Sequence, residues 1–105
     1  MTYRLAVDLE AVLGAVADAS RRRMLARLAH GPATTGQLAD LLPSSRPAAS
    51  QHLRRLQDAG LVRTTVVGRH RWHELAADPL SAVARWADEL VAVNAKAPPL
   101  AKGSR

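Results

Sequence analysis

The sequence predicts a mainly α domain of about five helices with one small β-hairpin. Three observations carry that prediction. Apolar residues recur in stretch after stretch at the i, i+3, i+4 and i+7 spacing that lines one face of an α-helix. One stretch, Leu61 to Leu75, instead gathers Val, Thr and Trp around Gly68, as a hairpin does. The helical stretches are also punctuated by residues that start and stop helices, among them Ser45, Gly31-Pro32 and Asp78-Pro79. At 105 residues the chain is long enough for one domain and too short for two. The expected domain covers residues 1–94, and residues 95–105, with paired prolines, a glycine and little to pack, form an expected flexible tail.

From Tyr3 to Ala17, the residues Leu5, Leu9, Val12, Leu13 and Val16 form a helical stripe with Asp8 and Glu10 beside it. Ala6, Ala11, Gly14, Ala15 and Ala17 leave much of the remaining surface apolar, more than a helix with one solvated side shows. Either the domain's own core or a second subunit would cover it. A second helix spans Ala17 to Gly31, with Met24, Leu25 and Leu28 buried, Asp18 or Ser20 near its start and Gly31-Pro32 as its stop. Arg21, Arg22 and Arg23 stand at its beginning, where cations oppose the helix dipole. A structural role, such as an ion pair with Asp18, is favoured there over contact with phosphate.

Thr34 to Leu42 reads as a short helix. Thr34 and Gln37 are spaced as a capping box, and Leu38, Leu41 and Leu42 line one side. A tight connection at Pro43, Ser44 and Ser45 leads into a longer helix. Ser45 can cap it, and Pro47 is tolerated in its first turn because the missing N–H would have had no helical partner. Ala49, Leu53 and Leu56 form its apolar stripe, and Gly60 follows as a left-handed stop. The other face carries Arg46, Ala48, Ser50, Gln51, Arg54 and Arg55, with no carboxylate until Asp58. Short helix, turn and longer helix together are the arrangement that presents a helix to the major groove of DNA. The competing interpretation of such a face is an ordinary solvated one.

Charge agrees with a nucleic-acid partner. Fifteen Lys and Arg against nine Asp and Glu give a formal charge of +6, with the excess concentrated between Arg46 and Arg71. Thirteen of the fifteen cations are Arg, whose planar fork makes paired contacts with phosphates and guanine edges that Lys cannot.

In the hairpin, Val62, Thr64 and Val66 fall on one side of the first strand, while Trp72 with Glu74, or His73 with Leu75, alternate on the second. The pattern leaves the register open. Gly68, Arg69, His70 and Arg71 sit at or beside the tip, where basic side chains can reach a phosphate or minor groove. The last helix opens at Asp78-Pro79, with Asp78 as expected N-cap and Pro79 as first helical residue, and runs to about Asn94. Leu80, Val83, Ala87, Leu90 and Val91 make one stripe, and Ala82, Trp86 and Val93 a second apolar edge.

Three segments, ADASRRRMLARLAHGP, TTGQLADLLPSSRPAASQHLRRLQDAGLV and the basic VGRHRWHEL, together resemble the ArsR family of bacterial winged helix-turn-helix regulators. Ser45, Pro47, Ser50, His52, Leu53 and Leu56 match its most specific run. The resemblance covers most of the chain. It implies a winged helix-turn-helix with a two-stranded wing, and a homodimeric repressor paired through its terminal helices. The expected dimer contacts are then Leu5, Leu9, Val12, Leu13 and Val16 with Leu80, Val83, Trp86, Ala87 and Leu90. The expected DNA contacts divide by position. Arg46, Ser50 and Gln51 are candidates for base edges, Ala48 or Ala49 for a thymine methyl, and Ser45, His52, Arg54, Arg55, Arg69 and Arg71, with His70 beside them, for the backbone.

Several chemistries are not expected. The chain has no cysteine, which removes disulfides, thiolate metal sites and thiol redox sensing. Relatives that sense metal do so with carboxylates and histidines on the terminal helix, whereas here that helix offers Asp78, Asp88 and Glu89 but no His. His70 and His73, three apart in a strand, face opposite sides. Neither a metal nor a cofactor is expected. No nucleophile and base, phosphate loop or carboxylate pair indicates an enzyme. No apolar run approaches the roughly 20 residues that span a bilayer, and the first ten residues lack a signal core, so the expectation is a cytoplasmic protein. Expected partners are double-stranded DNA, a second copy of the chain and a small-molecule inducer whose chemistry the sequence does not specify. The alternatives are a winged-helix protein-interaction module, or a ligand or metal sensor of the same fold.

Overall fold

The computed structural model describes residues 7–101. The expectations for Tyr3 to Ala6, including Leu5 as a dimer contact, lie outside the described residues. The elements in order are α1 (Leu9–Val16), α2 (Ala19–Leu28), β1 (Ala33–Thr34), α3 (Thr35–Ala39), α4 (Arg46–Asp58), β2 (Val62–Val67), β3 (His70–Leu75) and α5 (Asp78–Ala95). Five helices and a small antiparallel sheet match the expected class.

The helix ends follow from local chemistry. Asp8 stands outside α1 as its N-cap, with its carboxylate accepting from the Ala11 N–H at 3.1 Å, so the helix begins later than the apolar stripe suggested. Asp18 caps α2 by accepting from the Arg21 N–H at 2.9 Å. The capping box of α3 is complete: Gln37 N–H donates to Thr34 Oγ1 at 3.2 Å, and Thr34 N–H donates to Gln37 Oε1 at 2.9 Å. Ser45 caps α4, with Ala48 N–H donating to its Oγ at 3.3 Å. After α4, Gly60 adopts φ +78°, a left-handed C′ position that costs glycine nothing and an L side chain strain. One boundary differs from expectation. Ala77 rather than Asp78 precedes α5, because Ala77 is already in the helical region and its carbonyl accepts the first helical bonds, from Leu80 and Ser81. Asp78 becomes the first helical residue, where its carboxylate still favours the positive end of the dipole.

The wing belongs to a three-stranded sheet of order β1-β3-β2, rather than the two-stranded one expected. Ala33 and Thr34 pair with His73 and Trp72 on the outer side of β3. Two residues carry too little pattern to mark a strand, and only the ladder to β3 defines this one. Gly68 and Arg69 form a two-residue turn with φ +61° at Gly68 and a negative φ at Arg69, the combination of a type II′ hairpin. That turn fixes the register. Val62 faces Leu75, Thr64 faces His73, and Thr65 faces Trp72. Val62, Thr64, His73 and Leu75 therefore turn toward the body, and Thr65, Trp72 and Glu74 turn outward.

The core joins α1 to α4 and the base of the wing through Val12, Ala15, Met24, Leu25, Leu28, Ala33, Leu38, Leu42, Ala49, Leu53, Leu56, Leu61 and Val62. Leu41, expected beside Leu38 and Leu42, is exposed because α3 has already ended at Ala39. Helix α5 runs beside α1 and rests on the core through Leu80 and Val83. None of its residues is buried, and Trp86, Leu90, Val91 and Val93 are exposed. With this projecting helix the radius of gyration is 18.1 Å, against about 13 Å for a compact chain of 100 residues. No helix among the described residues is long and apolar enough to cross a membrane.

Candidate nucleic-acid interface

Helix α4 buries Ala49, Leu53 and Leu56 and thereby turns its basic face outward. Arg46, Ser50, Gln51, Arg54 and Arg55 are exposed, and Ala48 is half-buried. Ala49 is fully buried in the core, which removes it as a contact for a thymine methyl. The hairpin brings its tip back beside the start of this helix. A groove of about 400 Å³ results, lined by Thr34, Thr35, Gly36, Arg46, Ser50, Arg69, His70 and Arg71. A smaller hollow continues it along α4, past Arg54 and Gln57, with Thr35, Ser50 and Arg71 common to both. No carboxylate lines either one. The Arg46 guanidinium lies over Gly36, where a Cβ would stand 3.4 Å from its Nη2. A methyl there would meet the guanidinium at ordinary van der Waals distance.

The structure thus gathers six of the expected residues, Arg46, Ser50, Arg54, Arg69, His70 and Arg71, around one concave cationic surface. Gln51 and Arg55 are exposed on α4 but do not line it, and Ser45 is engaged as the N-cap. Arg54 also lies 3.7 Å from Asp58, an exposed pair of small energetic weight. His52 turns away. Arg21 Nη1 donates to its Nδ1 at 3.3 Å, and the Asp18 carboxylate lies 3.7 Å from the same nitrogen. Of the three arginines that open α2, Arg21 donates to the carbonyls of Ala15 at 2.6 Å and Gly14 at 3.2 Å, and Arg22 to that of Val16 at 2.8 Å. The dipole conflict is offset by the end of α1. Cation and N-cap N–H act on Asp18 as well: the bond from the Arg21 backbone, then the charge of Arg21, hold its carboxyl below the usual value.

Among the residues expected at a dimer face, Val12 is 1% exposed within this chain's own core and is unavailable to a partner. Leu9, Leu13, Val16, Leu80, Val83 and Ala87 are half-buried, with Val16, Leu80 and Val83 packed on that core. Trp86 and Leu90, 42% and 56% exposed, remain open. The histidines stay apart: His70 is exposed and His73 is 2% exposed. No group of three His, Asp or Glu at metal-binding distance occurs among the described residues.

Sequence reasoning missed one set of polar residues. His73 is the polar member of the buried core, and it joins Thr35 and Thr64, the latter bonded to Gln57. The two-residue turn at Gly68-Arg69 would have revealed the facing of Thr64 and His73, since it fixes which residues oppose each other.

Comparison with known proteins agrees with this geometry. The helix-turn-helix domain family matches residues 16–65. The HTH-type transcriptional regulator Rv2034 of Mycobacterium tuberculosis is 48% identical over 69 residues, which are 66% of this chain and 64% of that relative. The crystal structure of an ArsR family transcriptional regulator superposes with a TM-score of 0.80 at 33% identity, covering 86% of this chain and 93% of that one. An ArsR-like transcriptional regulator from Rhodococcus sp. RHA1 gives 0.67 at 31% identity, covering 88% and 94%. The chain therefore belongs to the ArsR family of transcriptional regulators, with a winged helix-turn-helix fold.

Proposed function

We propose that the protein is a homodimeric repressor that binds an inverted-repeat operator. The observation that carries this reading is the carboxylate-free groove between α4 and the wing, where Arg46, Arg69 and Arg71 converge. A polyanion neutralises those charges, and a helix of this length fits the major groove. Arg46, Ser50 and Gln51, in the first half of α4, read base edges. Arg54, Arg55, Arg69 and Arg71 hold the backbone, with His70 beside them at the hairpin tip. His52, engaged with Arg21 and Asp18, orients the helix rather than touching DNA.

A dimer is supported by the apolar residues that α5 leaves uncovered, Trp86, Leu90, Val91 and Val93. Two-fold pairing there places two α4 helices in successive major grooves, about 34 Å apart. Bound across a promoter, the dimer excludes polymerase. A small-molecule inducer acts by favouring a dimer arrangement whose helices no longer match that spacing. A DNA target places the protein in the cytoplasm.

The test is fluorescence anisotropy on the DNA upstream of its own gene and on a scrambled duplex, at two salt concentrations. Preferential binding that weakens steeply with salt, at two protomers per site, is the expected result. Weak and equal binding to both duplexes would overturn the assignment of that DNA as operator, and the absence of salt dependence would overturn DNA binding through this face.

A further inference from the structure

Four polar side chains run in one line from α4, across both wing strands, to the start of α3. Gln57 Nε2 donates to Thr64 Oγ1 at 2.7 Å. Thr64 Oγ1 lies 2.9 Å from His73 Nδ1, and His73 Nε2 lies 2.8 Å from Thr35 Oγ1. Because Gln57 already directs a proton at Thr64, the Thr64 hydroxyl proton is free to be donated to His73 Nδ1. A neutral ring then carries its single proton on Nε2 and donates it to Thr35. Both ring nitrogens are satisfied, and the Thr35 hydroxyl proton is left for the groove. Burial, with the Arg71 charge as a lesser cause, keeps this ring neutral by lowering its pKa.

The location of this line matters more than its energy. Beyond Thr64 and the pairing of Trp72 with Thr34, the hairpin has little else to hold it: Thr65, Val66 and Val67 are exposed, and β2 has a ladder on one side only. The four steps from Thr64 to Gly68 form an arm about 13 Å long at roughly 3.3 Å per residue. Any rotation at its base is magnified at Arg69 and Arg71. Apolar contact at Val62 resists separation but has no preferred direction, whereas hydrogen bonds restrict angle as well as distance.

We infer that the line Gln57, Thr64, His73, Thr35 is a strut that fixes the angle of the wing against the recognition helix, making Gln57, Thr64 and His73 positioning residues for DNA binding. The strut sets the separation between the groups at the tip and those on α4, and so the phosphate spacing that the groove accepts. This inference rests on the DNA-binding reading above.

Thr64→Val cuts the strut while keeping a β-branched side chain of nearly the same shape, and Thr64→Ser restores the hydroxyl. In the DNA-free protein, 15N relaxation should show order parameters for Gly68 to Arg71 falling from about 0.8 to below about 0.6 in Thr64→Val and recovering in Thr64→Ser. On DNA, Arg69→Ala should lose less affinity in the Thr64→Val background than in the natural protein, a coupling of about threefold or more in Kd. A general loss of stability lowers the melting temperature without producing either effect. Unchanged wing order in Thr64→Val would overturn the strut, and additive losses in the double variant would overturn its role in binding. Should the natural protein bind no duplex, the DNA reading fails by that result, while the relaxation measurement still decides whether the wing is held.

Discussion

Arg21 of α2 holds His52 of the recognition helix at 3.3 Å while it also donates to the last carbonyls of α1, at Ala15 and Gly14. One guanidinium thereby ties three helices together. The carbonyls it takes lie in the last turn of α1, where that of Gly14 also accepts from the Ala17 N–H at 3.3 Å, and its planar fork reaches them and the imidazole at once. Asp18, capping α2 beside it, completes the junction from the other side. The orientation of α4 is consequently set by polar contacts at its side as well as by Leu53 and Leu56 beneath it.

Replacing Arg21 should therefore destabilise the fold. Arg21→Ala removes two bonds to backbone carbonyls and the contact to His52, and the expected loss is about 1–2 kcal/mol. Arg21→Lys should recover only part of it, because a single ammonium cannot span the three acceptors. Urea unfolding at one fixed protein concentration measures both. Full recovery with Lys would show that charge alone, and not the fork, is needed.

Acid should weaken the protein in two steps assigned to different groups. His73 has its folded pKa lowered from the ordinary 6.5 by burial and, less strongly, by Arg71. Below 6.5 the unfolded chain takes up a proton that the folded chain refuses, so stability is constant above that pH and declines as pH falls toward the lowered value. The slope from one such group is at most about 1.4 kcal/mol per pH unit. Asp18, whose carboxyl is lowered from 3.8, contributes stability present above that value and lost as pH falls through its folded pKa. Denaturation midpoints at pH 7.5 and 5.5 should separate for the natural protein and converge for His73→Gln. An unchanged difference in His73→Gln would assign the acid loss to other groups.

Much of this molecule was legible in its sequence, for reasons that differ between elements. The helix starts at Thr34 and Ser45 are local: a hydroxyl bonds an N–H three residues on, and the sequence alone carries both partners. The stripe of Ala49, Leu53 and Leu56 is likewise a property of spacing. What stayed hidden depends on partners far along the chain. Strand β1 exists only because β3 lies beside it, 38 residues separate Thr35 from His73, and 31 separate Arg21 from His52. Val12 looked like its neighbours on an apolar helix, yet among the four described contacts expected there, Leu9, Val12, Leu13 and Val16, it alone is deep in the core that α1 shares with α2 and α4. Spacing tells which face is apolar but not what covers it.

The open end of α5 leads to a prediction about assembly. In the proposed dimer, Leu90→Asp places a carboxylate in an apolar contact twice, once from each copy, with no partner for either. The dimer dissociation constant should rise by about a hundredfold or more, whereas the isolated fold should be little changed because Leu90 is 56% exposed. Sedimentation velocity across a concentration series, alongside far-UV circular dichroism, reads the two effects separately. A variant that stays dimeric with natural affinity would place the interface elsewhere.

The two ends of the groove should differ in what they recognise. Arg46 stands in the first turn of α4, where a side chain reaches base edges, whereas Arg69 stands at the hairpin tip, where it reaches the backbone. Arg46→Ala is expected to cost about 1–3 kcal/mol on the operator, concentrated at one base position, and far less on random DNA. Arg69→Ala should weaken operator and random duplex alike and lower the slope of log K against log salt by about one. Anisotropy titrations of both variants on operator, single-base variants and random DNA, at three salt concentrations, distinguish them. Because a Cβ at Gly36 would stand 3.4 Å from the Arg46 Nη2, an ordinary contact distance, Gly36→Ala serves as a control that should leave both the base preference and the salt slope near those of the natural protein. Equal losses on operator and random DNA for Arg46→Ala would mean that it, too, only neutralises phosphate, and the base-reading role would pass to Ser50 and Gln51.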